Sequence, residues 1–120
     1  LERSVTLGAL GVIQPDICNC GGLSEAKRIC DMAQVFDVTV QGHCAGSPLS
    51  AAAAVHLEAA IPNFCIHEHH FRSTQKGLTD LCKYDYQPKN GYCSVPDLPG
   101  LGQEISDFAI KTALAHEVVD

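Results

Sequence analysis

Three residues of this 120-residue chain have the types and spacing for proton chemistry: Asp16, His43 and Glu68. Each closes a short apolar run: Val12-Ile13-Gln14, Val38-Thr39-Val40-Gln41 and Phe64-Cys65-Ile66-His67. Asp16 and His43 are 27 residues apart, and nearly the same interval leads on to Glu68. An Asp beside a His orients the imidazole and raises its basicity, which suits a general base. A Glu one step further can hydrogen-bond a substrate oxygen on which negative charge develops. Taken singly, Asp16 would be a turn cap and His43 a satisfied core histidine. Three such groups at equivalent positions point instead to a site, because a buried carboxylate or imidazole is costly unless paired.

The elements needed to position them are legible. Each apolar run has strand length, and helical spacing separates the runs. Residues 24–36 place Ala26, Ile29, Cys30 and Ala33 on one face, with Lys27, Arg28, Asp31 and Gln34 outside; Ser24 is the expected N-cap. A tight turn at Asp37 leads to the second strand. Pro48 or Leu49 opens an Ala-rich helix running to about Ala60, and Pro62-Asn63 turns the chain into the third strand. Strand, helix, strand, helix, strand with short connections predicts a parallel α/β sheet covered by helices. In such sheets function lies at the carboxyl ends of the strands. Residues 3–10 read as the end of a preceding helix. After Phe71 the chain becomes polar and turn-rich, with Asn90-Gly91 as a hairpin signal and a last short helix over 104–117.

Composition bounds the function. The chain is 46% apolar and 18% charged, with a net charge of −6. No basic run or basic-aromatic patch is present, so nucleic acid and anionic membrane are poor partners. The longest run of apolar and small residues, Pro48–Val55, falls far short of a bilayer span. Leu1-Glu2-Arg3-Ser4 lacks the pattern of a signal peptide, and the chain enters at once on a helix-like segment; both point to a piece of a longer cytoplasmic protein. Seven cysteines, an odd number set in apolar segments, read as reduced thiols rather than a disulfide framework.

The pattern Gln14-Pro15-Asp16, then Gly21-Gly22, His43, Pro62-Asn63-Phe64 and His67-Glu68, ending in Pro96-Asp97-Leu98-Pro99-Gly100-Leu101-Gly102, resembles the mandelate racemase subgroup of the enolase superfamily. Within it the chain is most similar to the sugar-acid dehydratases of the galactonate type. That resemblance implies a (β/α)₇β TIM-like barrel with a capping domain. Residues 1–71 would supply about strands six to eight, and residues 72–120 the return segment that packs on the barrel and joins the cap. It implies a Mg²⁺-dependent dehydration of a galactonate-like sugar acid to a 2-keto-3-deoxy acid, in a homo-oligomer when full length. His43 would be the general base, Asp16 its partner, and Glu68 the group that stabilises the enediolate or holds the substrate. The family's metal ligands and its second acid lie upstream of Leu1, so no residue here is assigned to metal, and the chain alone is expected to be inactive. With open sheet edges it is also expected to be unstable or to associate.

Other readings are a racemase or epimerase of the same superfamily, a zinc-binding or scaffold domain, and a thiol enzyme. Zinc would use Cys18-x-Cys20 and the His67-Glu68-His69-His70 cluster, but the spacing fits no closed Cys₂His₂ pattern. Cys44 beside His43 would serve a thiol enzyme, but strand neighbours point to opposite faces.

Overall fold

The computed structural model describes residues 8–114. Strand β1 (Val12–Ile13) leads through a helical turn, α1 (Ile17–Cys20), into helix α2 (Leu23–Val35). Strand β2 (Thr39–Val40) follows, then helix α3 (Pro48–Ala59). β1 and β2 are parallel, with Val12 opposite Thr39 and Ile13 opposite Val40. The third apolar run is held beside β2 by a single parallel bridge, Val40 to Phe64. The Val40 amide donates to the Asn63 carbonyl at 2.8 Å, and the Cys65 amide to the Val40 carbonyl at 2.8 Å. The expected third strand is therefore parallel and in place, but too briefly paired to form a ladder.

The helices cover one face of this sheet. Ile13, Val38 and Val40 meet Ala26, Cys30 and Ala33 of α2, Leu57 of α3, and Ile61. Small residues on the inner face of α2 let it approach β2 closely, and α3, with Ala52, Ala53 and Ala54 buried, packs against α1 and α2. Val40 has no exposed surface, and burying such a side chain contributes about 1.5–3 kcal/mol. Asn63 ties the layers together: its Nδ2 donates to the carbonyls of Cys30, 3.1 Å, and Val38, 2.9 Å. The other face is bare. Val12, Phe64 and Ile66 are 46%, 41% and 57% exposed.

Two local expectations are corrected. Gly22, not Ser24, is the N-cap of α2. Gly21 and Gly22 both hold positive φ, 109° and 88°, so the chain reverses and the helix opens at once at Leu23. The helix end expected over 3–10 falls mostly outside the described residues, as do the last three residues of the helix expected over 104–117. Within them that helix is α5 (Asp107–Thr112); before it in the chain come a 3-10 turn, Phe71–Thr74, and α4 (Lys76–Thr79).

Residues 72–114 are held mainly by side chains bonding to backbone. Gln103 clasps Tyr84, donating to its carbonyl and accepting from its amide. Ser106 Oγ donates to the Asp80 carbonyl, and Tyr86 to that of Gly102. Gly102 has a φ of 64°, and a Cβ there would lie 2.3 Å from Pro96 Cβ, so the closing turn admits only glycine. His56 of α3 reaches the Leu101 carbonyl at 3.2 Å, fastening this segment to the helical layer.

Candidate active site

The strand register builds the site. Past β2, the Gln41 amide donates to the Ile13 carbonyl, and the His43 amide to that of Pro15. Continuing the pairing in this way brings His43 beside Asp16. The Asp16 carboxylate then uses both oxygens. Oδ1 accepts the Cys18 amide at 2.8 Å, capping α1, and Oδ2 lies 2.6 Å from His43 Nδ1. Asp16 thus caps the turn with one oxygen and pairs with His43 through the other. With Nδ1–H donated to Asp16, Nε2 is the free nitrogen of His43, and the ring is 44% exposed.

The electrostatics favour a base. The hydrogen bond to Asp16 raises the His43 pKa above its ordinary value; partial burial opposes this, and the Glu68 and Asp16 charges add to it. For Asp16, burial pulls the pKa up, but hydrogen bonds from His43, Asn19 and the Cys18 amide outweigh it, and the pKa falls. The pair lines a cleft of about 270 Å³ with Asn19, Cys44, Gly46 and Ser50. Glu68 is joined to the site through the backbone: its Oε2 accepts the Cys44 amide at 2.9 Å. It is not part of the cleft's wall, and its Oε1 is left over. The structure therefore links all three predicted residues, Asp16 and His43 directly and Glu68 through the residue after His43.

A buried pair that the sequence reading missed lies behind this site. Glu58 Oε2 is 2.7 Å from His67 Nδ1, and the side chains are only 5% and 11% exposed. Glu58 Oε1 has no partner and would stand 3.1 Å from a Cβ at Gly42, the residue before His43. The available signal was the one acid in an Ala-rich, mostly apolar helix.

The thiols are all free. Burial, with Glu58 and Glu68 nearby, pushes Cys44 up to about 11, so it stays a neutral thiol and the thiol-enzyme reading fails. The zinc reading fails in its original form as well. Cys18 and Cys20 lie on α1, and no trio of metal-ligating side chains among the described residues includes either. Nor do these residues fit Mg²⁺. That ion needs a set of oxygen ligands, whereas Asp16 is committed to His43, Glu58 to His67, and Glu68 to Cys44. No described residue is assigned to Mg²⁺.

Residues 1–109 match the family model described as "Enolase C-terminal domain-like". The chain is 31% identical over 114 residues to a D-galactonate dehydratase of Ralstonia nicotianae, covering 91% of this chain and 30% of that one. A crystal structure of an enolase superfamily member from Salmonella Typhimurium superposes with a TM-score of 0.89 at 54% identity, over 92% of this chain and 28% of that one. An enolase from Pantoea ananatis, solved with bound D-gluconate and Mg, does so with a TM-score of 0.81 at 28% identity, over 92% and 27%. The chain spans about 30% of the length of the curated relative it matches. With its parallel strand ends and Asp–His pair, the chain belongs to the enolase C-terminal domain-like family.

Proposed function

We propose that this chain supplies the proton-abstracting part of a sugar-acid dehydratase, with residues 1–71 as barrel units and 72–120 as the return segment. The observation that carries the reading is the Asp16–His43 hydrogen bond at the wall of an open cleft. His43 Nε2 takes the proton α to the carboxylate of the sugar acid. The imidazolium that forms is held by Asp16, whose second oxygen is fixed by the α1 backbone and so cannot swing away. Glu68, fixed by the Cys44 amide, adds negative charge near His43 that favours the imidazolium. Loss of the β-hydroxyl as water then leaves an enol that tautomerises to a 2-keto-3-deoxy acid. Mg²⁺ would be held by residues outside this chain, as would the acid that protonates the leaving hydroxide.

The D-galactonate dehydratase and the gluconate-bound enolase support an aldonate as substrate. The test is a panel of aldonates and aldarates given with Mg²⁺ to the full-length enzyme. Release of a 2-keto-3-deoxy acid from at least one aldonate is expected. Inversion at the α-carbon with no keto acid formed would make the enzyme a racemase or epimerase instead.

A further inference from the structure

Behind the third strand end lies a second cluster with different chemistry. His67, His69 and Cys93 each bring a ligand atom within 4.8 Å of the others. They line a cavity of about 470 Å³ between α3 and the 88–95 hairpin. We propose that these three side chains bind one Zn²⁺, which staples the return segment to the third strand.

Each ligand is oriented from behind. His67 gives Nδ1–H to the buried Glu58 carboxylate at 2.7 Å, which leaves Nε2 as its ligand atom. His69 Nε2 is 3.0 Å from Gln87 Oε1, which leaves Nδ1. Gln87 is itself fixed, donating Nε2 to the Ser73 carbonyl at 2.9 Å. Carboxylate or amide partners on the second ring nitrogen are the usual support of metal-bound histidine. Cys93 is delivered by the Asn90-Gly91 turn, whose φ values of 53° and 81° close the Lys89–Tyr92 pair. Glu58 is itself incompletely satisfied. The residue is 6% exposed, and one carboxylate oxygen, beside Gly42, has no partner. A cation behind His67 would compensate that buried charge.

Two imidazoles and a thiol select zinc over Mg²⁺, which requires oxygen ligands. Around tetrahedral zinc the ligand atoms stand about 3.3–3.6 Å apart, so the trio need close only by side-chain rotation. Binding replaces the thiol proton: Zn²⁺ binds Cys93 as thiolate and one H⁺ is released. The fourth position remains for water. This inference does not depend on the dehydratase reading, because none of its residues belongs to the Asp16–His43 site.

The test uses tag-free full-length protein, stripped of metal and then titrated with Zn²⁺ or Co²⁺ in excess Mg²⁺. The expected result is one zinc per chain, and a cobalt form with a thiolate-to-metal charge-transfer band. Cys93→Ser should abolish that band, and Gln87→Ala should weaken zinc binding by about 10-fold through lost orientation of His69. Unchanged circular dichroism in both variants separates ligand loss from misfolding. Substoichiometric zinc, or a band that survives Cys93→Ser, would overturn the assignment.

Discussion

At the scale of single residues, the Asp16 carboxylate is the pivot, because one group both caps α1 and holds His43. Asp16→Asn keeps the cap acceptor but removes the charge that raises the His43 pKa. The acidic limb of the kcat/KM profile should then move to lower pH, and the plateau should fall by about 10²–10⁴-fold; steady-state kinetics across pH measure both. The pair also links stability to pH. Asp16 has a lowered pKa, so its contribution is present above its unfolded value near 3.8 and is lost as pH falls through the folded one. His43 has a raised pKa, so its contribution is full below about 6.5 and fades as pH rises through the folded value. The pair should stabilise most in mildly acidic solution. In a denaturation series against pH, Asp16→Asn should flatten that maximum.

At the scale of elements, alternation of strand and helix was readable because the apolar periodicity is local. Val12-Ile13, residues 23–35, Thr39-Val40 and Pro48–Ala59 all form close to the places their patterns predict. What was not readable depended on backbone geometry or distant partners. The α1 turn is too short to show a period and exists because Asp16 caps it. The third strand shrinks to one bridge because only β2 flanks it. Asn63, which reads as a plain turn residue, donates across two elements to Cys30 and Val38. Asn63→Ala leaves both carbonyls short of that donor and should cost about 1–3 kcal/mol in chemical denaturation of the full-length protein. Among the candidate site residues, Asp16, His43 and Glu68 were legible because equivalent strand ends fall at nearly equal intervals. The Glu58–His67 pair was not, since nothing in the sequence sets Glu58 against the third strand.

For the molecule as a whole, the asymmetry of burial matters most. One face of the sheet is sealed by α2 and α3, and the other exposes Val12, Phe64 and Ile66. Such a face with open strand edges needs covering. In the proposed barrel the remaining strands cover it and bring the metal-binding half of the site to His43. Residues 1–120 expressed alone should therefore associate with rising concentration in sedimentation velocity and lack a cooperative melt. A soluble monomer with a sharp transition would contradict that packing. Among the described residues no helix is long and apolar enough to cross a membrane.

The central claim is that His43 removes the α-proton. Full-length enzyme and its His43→Asn variant, matched by circular dichroism, would be incubated in D₂O with Mg²⁺ and the aldonate the enzyme turns over. Keto-acid release and solvent exchange at the α-carbon would both be followed by NMR. The expected result is elimination by the wild type, and loss of both elimination and exchange in the variant. Turnover retained by His43→Asn would contradict the account.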